Sequence, residues 1–483
     1  MEREISDLAS VVNKILTFVR HEAQELEIGE VERHLLSLVM AVGKAALEEF
    51  VVEKGTGYQG KEIIDAEGKQ CPYVRDRSCL YRSIFGTIPI GRAYYYSPGS
   101  SGIIPLDGEL NLPERGYSYL VQEFSSRLAV TMSYEDAQKV LESFFPVKVP
   151  IRSLERIVGD LCDDVSKFYE EETPPEVCPE AAVTVATIDK KGIVIRKSNA
   201  DQSASQTPPK NPEKPGKKKM ATVISTYVTR RHVRTADDVL TDVADDNGCD
   251  AKPRPQNKLT WGSLTEGPEE TVGRLKKFVD QRLPKGNELV CVLDGERSLW
   301  TLVYAYFPKA FFVLDIFHVL EHLGKAALCF YDEGSPKARE FVTERLKMLL
   351  LGRAGAMIGG LKQMLCKHRL SGVKKHSLQQ VIGYLERNRK HMRYEICLAR
   401  GYPIGSGVIE GACRNLINDR LELTGMSWTI QGAESIMRLR ALHINKHWNA
   451  FWKHHRQSER QRLYAMDTTR SSEIRNQELP RAA

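Results

Sequence analysis

Three acidic residues far apart in the chain stand where a carboxylate could do chemistry. They are Asp189 in VTVATIDKKGIVI, Asp294 in CVLDGERSLW and Glu410 in GSGVIEG. Asp189 and Asp294 each close a run of β-forming residues. Glu410 lies just inside a helix start, with glycines on both sides that let backbone and an ion approach closely. Mg²⁺ or Mn²⁺ takes hard oxygen ligands, which Asp and Glu supply. Two such ions roughly 4 Å apart activate a water at neutral pH and stabilise a leaving 3′ oxygen. The chemistry open to this set is therefore phosphodiester cleavage, and the freed 3′ hydroxyl could attack a second strand at the same site. Each acid also has a plainer reading. An Asp before Gly is a common turn residue, and a Glu in a first helical turn complements the helix dipole. Their joint placement at two strand ends and a helix start favours a site.

The elements that must position these acids can be read from periodicity. Residues 183–188 predict a strand, and 192–196 its hairpin partner. Residues 220–229 predict a third strand, whereas 231–265 look polar and irregular. An amphipathic helix follows over 268–283. Buried strands are predicted at 288–293 and 310–314 around a helix at 296–307. Residues 316–400 read as helical almost throughout, and a further helix begins near Ser406. The fold class is α/β. The order is that of an RNase H-like mixed sheet core, interrupted by an all-α insertion. In that order the strands ending at Asp189 and Asp294 are neighbours at the sheet centre.

Upstream, residues 1–54 carry apolar positions three and four apart and predict helices, and 81–96 predict a β-hairpin. Helices follow over 117–130, from Ser133, and over 153–171. Ser133 is a good N-cap with Asp136 three residues on, close to a capping box. Three short helices with a tight break suit a helix-turn-helix module or any small bundle, giving a mainly helical DNA-binding N-terminal region. Six segments result: 1–115 helices and hairpin, 116–178 helix-turn-helix-like, 179–320 first part of the core, 321–400 all-α insertion, 401–445 last core helix, and 446–483 basic tail. Residues 198–219, rich in Pro, Ser and Lys, read as a flexible excursion.

The 483 residues exceed one ordinary core. With 42% hydrophobic and 27% charged residues, the composition is that of a globular protein. No apolar run approaches the roughly 18 residues of a membrane helix, and the start, MEREISDLAS, lacks an apolar signal core. The ten cysteines form no C-x-x-C pair, which suits a reducing cytoplasm better than a zinc knuckle. No G-x-x-x-x-G-K-[ST] is present for a built-in ATPase. The net charge of +6 is mild. Cationic Lys446 and Lys453 near Trp448 and Trp452 could track phosphates and stack on bases, or form a solvated helix whose tryptophans pack inward. Arg414 and Arg420, on the Glu410 helix, could neutralise phosphates or pair locally. Trp428 could stack on a flipped base or pack on the insertion. His318-Val319-Leu320-Glu321-His322 matches H-x-x-E-H, so a zinc metallopeptidase is the alternative from another enzyme class.

Taken together, VTVATIDKKGIVI, CVLDGERSLW, FFVLDIFHVLEHL, GYPIGSGVIEGACRNLINDRLELTGMSW and GAESIMRLRALHINKHWNAFW resemble the ISKra-type insertion-sequence transposases, within the Mutator-like DDE group. The stretches FGTIPIGRAYYY, GIIPLDGELNLPERGYSY and TMSYEDA share the likeness. It covers most of residues 80–455 in order. The resemblance implies metal-dependent DNA cleavage at transposon ends and strand transfer to a target. The triad would be Asp189, Asp294 and Glu410, holding two Mg²⁺ or Mn²⁺ ions. An acid-x-x-His element falls on Asp315-Ile316-Phe317-His318, with His318 contacting the scissile phosphate or orienting a carboxylate. It further implies double-stranded DNA as partner (terminal inverted repeats and target), a homodimer on that DNA, no membrane, and a bacterial, nucleoid-associated cytoplasmic setting. A relative that binds DNA without cutting it would carry the same motifs. Cysteines common after the tyrosine run are replaced here by SPGSS, so no zinc role is expected there.

Overall fold

The computed structural model describes residues 8–477 except 66, 100–101, 173–182, 197–217, 245–252 and 284–286. The predicted flexible excursion lies almost wholly outside the described residues. The chain divides into two compact units, Met1–Glu170 with His447–Ala483, and Glu171–Lys446. Among the described residues, no helix is long and apolar enough to cross a membrane.

The first unit holds helices α1 (Leu8–Thr17) and α2 (Ile28–Lys54), joined through a π turn at Phe18–Glu22. An antiparallel sheet of β1 (Glu62–Ile64), β2 (Gln70–Ser83) and β3 (Gly86–Tyr95) follows. The predicted hairpin is present, but its first strand reaches back to Gln70, because alternating charges on an exposed face masked that strand. Next come α3 (Pro105–Leu110), α4 (Tyr119–Ala129), α5 (Tyr134–Phe144) and α6 (Ile151–Glu171). Ser133 caps α5, its Oγ accepting from the Asp136 N–H at 3.0 Å.

The second unit is mixed α/β. Its strands are β4 (Val183–Val194), β5 (Lys218–Thr229), β6 (Gln256–Ser263), β7 (Glu288–Leu293) and β8 (Phe311–Leu314). They form one sheet in the order β6-β5-β4-β7-β8. β4, β5 and β6 pair antiparallel, while β4, β7 and β8 run parallel. Two expectations are corrected here. Residues 192–196 are no hairpin partner, because β4 pairs with β5 without a break from Val183↔Thr229 to Val194↔Lys218. The irregular stretch 231–265 contains helix α7 (Ala236–Ala244) and edge strand β6, whose Gln, Asn, Lys, Thr and Ser residues concealed it.

Helices α8 (Pro268–Arg282) and α9 (Arg297–Tyr306) flank β7 in sequence. The helical insertion is α10 (Ile316–Ala327), α11 (Pro336–Leu350), α12 (Ala354–Lys367), α13 (Gly372–Asn388) and α14 (Tyr394–Arg400). The chain returns as α15 (Gly407–Cys413), which packs on β4 and β5. A π turn (Arg414–Asn418), the short α16 (Asp419–Leu421) and α17 (Ile430–Ile444) complete this unit, and α18 (Trp448–Gln477) belongs to the first. β7 is apolar on both faces, as a covered parallel strand must be.

The outer edge of β6 is closed by a side chain. Asn445 Oδ1 accepts from the Thr260 N–H and Nδ2 donates to the Thr260 carbonyl, both at 2.9 Å. Thr260 is fully buried, so these groups have no water to fall back on. Asn445→Ala is expected to cost about 2–4 kcal/mol, the penalty for two orphaned main-chain groups. Asn445→Asp keeps the acceptor but turns a second, charged oxygen toward the buried Thr260 carbonyl, so at neutral pH it should cost at least as much as Asn445→Ala. Urea unfolding of the three proteins checks both the size and the order.

Candidate active site

Parallel pairing sets β4, β7 and β8 side by side, with an acid inside β4 and one directly after each of β7 and β8. The β4–β7 register ends at Thr187↔Val292, two residues before Asp189. Asp189 itself is inside β4, still paired with Val223 of β5, and not at the strand's end as expected. Asp294 directly follows Leu293, the last residue of β7, and Asp315 directly follows Leu314 of β8. Crevices at the carboxyl ends of such strands are the usual ligand sites of open α/β sheets.

Asp294 sits in a tight turn. Its Oδ1 accepts from the Glu296 N–H at 3.0 Å, while Gly295 adopts a φ of 97°, where L side chains are strained. Burial raises the Asp294 carboxyl above the usual carboxylate range, and the nearby Asp189 adds to this; the Glu296 N–H and His318 oppose it. Lys190 does not relieve the crowding, because its Nζ bonds Glu296 and Ser298.

Asp315 is fully buried and caps α10. Oδ1 accepts from Phe317 N–H at 3.3 Å and from Ser406 N–H at 2.8 Å. Oδ2 accepts from His318 N–H at 3.3 Å and is 2.6 Å from His318 Nδ1. That last bond pushes the imidazole up to about 9, against the opposing effect of burial. His318 is thus a cation at neutral pH, with Nδ1 held by Asp315.

Glu410 lies on the exposed side of α15, and its Oε1 accepts from Ser406 Oγ at 3.2 Å. Ligand atoms of Asp315, His318 and Glu410 all lie within 4.8 Å of one another. Asp189 and Asp294 are outside that tight group. Cys413, on the same helix as Glu410, links the two sides: its Sγ lies 3.4 Å from Asp189 Oδ2. Burial raises the Cys413 thiol, with Asp189 and Glu410 adding to the shift. Asp189, Asp294, His318, Glu410 and Cys413 are therefore neighbours at this end of the sheet. Oxygen donors dominate there, and a divalent cation of the Mg²⁺ or Mn²⁺ class would offset the burial and repulsion that raise Asp294.

The remaining predicted residues fare differently. Arg414 is exposed, 3.7 Å from Asp419. Arg420 is fully buried and stacks over the Trp428 ring at 4.8 Å, so neither a phosphate contact nor surface pairing is open to it. Trp428 is corrected too. It is 8% exposed, donates Nε1–H to the Leu421 carbonyl, and bonds Val194 and Arg196 through its main chain. Its ring is packing, unavailable to a base. Lys446 and Lys453 are exposed, but Trp452 is 2% exposed, edge-on to Phe451 and His455. The tryptophans of that segment face inward. In the H-x-x-E-H motif, His322 stacks on Tyr384 at 3.8 Å and burial lowers it to about 4; it is not part of the tight ligand group. Cys413 and Tyr384 escaped sequence reading. Cys413 is three residues from Glu410 and had a positional clue, whereas Tyr384 had none.

No family model and no curated protein matches the chain. A chain of the Drosophila P element transposase strand transfer complex superposes with a TM-score of 0.25 and 9% sequence identity, covering 71% of this chain and 84% of that one. An overlap that loose carries no argument about fold or activity.

The Asp315–His318 pair gives a titration test. In the unfolded chain a histidine titrates near about 6.5. The pair's contribution to stability is therefore full below that pH and lost as the pH rises through about 9. Proton-detected NMR of the metal-free protein should find His318 titrating near that value. Asp315→Asn should return it toward the unfolded value; an unchanged midpoint would show that another group holds the charge.

Proposed function

We propose that this chain is a DDE-type transposase, built on an RNase H-like core, that cleaves DNA at element ends and joins them to a target. The observation that carries the reading is that Asp189, Asp294, His318 and Glu410, from two parallel strands and two helices and up to 221 residues apart (189 to 410), are neighbours at one end of the sheet. The β6-β5-β4-β7-β8 order, antiparallel then parallel, with helices entering after β8 and α15 returning across the sheet, supports the RNase H-like assignment.

In this reading Asp189, Asp294 and Glu410 hold two Mg²⁺ or Mn²⁺ ions. Bound there, the ions supply Lewis-acid activation of the attacking and leaving oxygens. The chain's own groups do the rest. The Asp294 turn, closed by the Glu296 N–H, fixes the carboxylate's direction. His318, charged and fixed through Nδ1, donates from Nε2 to a phosphate oxygen, a charge-assisted bond that orients the strand. Exposed Arg414 and Lys446, and Lys453 of the first unit, contact phosphates. The partners are double-stranded DNA ends and target DNA, engaged by two copies of the chain.

The test is nicking of a supercoiled plasmid carrying the DNA that flanks the gene. Activity should require Mg²⁺ or Mn²⁺ and stop with a chelator. Asp189→Asn, Asp294→Asn and Glu410→Gln should each lower the rate by about 10²-fold or more, with DNA binding retained in a mobility-shift assay. Wild-type rates from Asp189→Asn and Asp294→Asn would rule the reading out.

A further inference from the structure

The helical insertion reaches back to the carboxyl ends of β7 and β8, and does so with two phenols. Tyr384 of α13 donates Oη–H to the main-chain carbonyl of Asp294 at 2.6 Å. Tyr394, the first residue of α14, donates to the carbonyl of Leu314 at 2.8 Å. Leu314 immediately precedes Asp315. β7–β8 pairing ends at Leu293↔Leu314, so both carbonyls lie where the ladder stops and need partners from elsewhere.

The Tyr384 contact is interlocked on three sides. A Cβ at residue 295 would stand 2.8 Å from Tyr384 Oη and 3.1 Å from Asn388 Nδ2, so the glycine turn and the phenol are fitted to each other. Asn388 Nδ2 in turn donates to the Tyr384 carbonyl at 3.1 Å. The Tyr384 ring stacks on His322, one helical turn after His318 in α10. One side chain thus touches both the turn that carries Asp294 and the helix that carries His318. Burial, with Asp294 and Asp315 nearby, raises the phenol's pKa and keeps it a proton donor.

We propose that Tyr384 and Tyr394 are positioning residues, through which the insertion sets the direction of the Asp294 carboxylate and the height of the Asp315–His318 pair at this end of the sheet. The proposal rests on the nuclease reading above. A hydroxyl fixed on the Asp294 carbonyl holds the 294–295 peptide plane, and with it the Cα–Cβ direction of the acid. The insertion is then part of the metal site's support, joined to it by hydrogen bonds from residues 90 and 80 positions away. Outer partners of this kind tune metal affinity without touching the ion.

Tyr384→Phe removes one hydroxyl and keeps the ring and its stacking. Tyr402→Phe is the matched control, since the Tyr402 hydroxyl bonds Glu288 at the opposite end of β7. Amide hydrogen exchange of the metal-free protein is the first readout. In Tyr384→Phe the Gly295 and Glu296 amides should exchange about tenfold faster. In Tyr394→Phe the Asp315 and Ile316 amides should do so, and Tyr402→Phe should change neither pair. The second readout is the Mn²⁺ concentration for half-maximal nicking, expected to rise about tenfold in Tyr384→Phe and to stay put in Tyr402→Phe. Wild-type exchange in Tyr384→Phe, or equal acceleration of the site amides in Tyr402→Phe, overturns the proposal. A wild-type protein that neither binds Mn²⁺ nor nicks DNA defeats the nuclease reading alone, and the exchange comparison still decides the brace.

Discussion

The Asp315 carboxylate is buried in full, and the second unit is organised around the bonds that make its charge tolerable. An isolated buried carboxylate is costly; one with its lone pairs filled is not. Here the acceptors meet Phe317 N–H, His318 N–H, His318 Nδ1 and Ser406 N–H. Ser406 is 91 residues away, on the far side of the helical insertion. The neighbouring bond from Ile316 N–H to the Ile404 carbonyl, at 3.0 Å, repeats the join. The chain leaves the sheet and comes back to it at nearly one point. Without that closure α15 would have no fixed start, and Glu410 no fixed place beside His318.

Electrostatics around Asp294 runs against folding stability. Burial disfavours the charged form of Asp294, and the nearby Asp189 adds to this. Most cations nearby are committed elsewhere: Lys190 serves Glu296 and Ser298, and Lys191 lies 4.0 Å from Glu422. The imidazolium of His318 opposes the raising of Asp294, and it is itself bound to Asp315. Clusters of this kind are retained at sites where a ligand supplies the missing charge. By contrast, the buried acids near α17 are matched internally. Glu434 accepts from Ser263 Oγ, Leu264 N–H and Arg438, and Glu266 pairs with Arg274 over the Trp261 ring.

Local signals made part of this legible in sequence. The apolar runs of β7 and β8, the helix after each, and the Ser133 cap were all readable from nearest neighbours. So was the acid at the end of β7, whereas Asp189 stands inside a longer strand than its apolar run suggested. What failed was information held by distant partners. Strand β6 is written in polar residues because Asn445, β5 and α17 satisfy it from outside its own segment. Arg420 and Trp428 carry the composition of a nucleic-acid contact, yet each is the other's packing partner. Tyr384 meets Asp294 across 90 residues, with no periodic mark to announce it.

The side chain of Asn445 against Thr260 imitates a further strand, offering one donor and one acceptor in ladder geometry. An open margin of a sheet invites another chain to zip onto it, which is a common beginning of aggregation and of swapped dimers. At this margin the place is already taken by an intramolecular mimic. A newly synthesised chain in which the helix ending at Ile444 is still unplaced would leave this margin bare, and so be more prone to sticking to its siblings there.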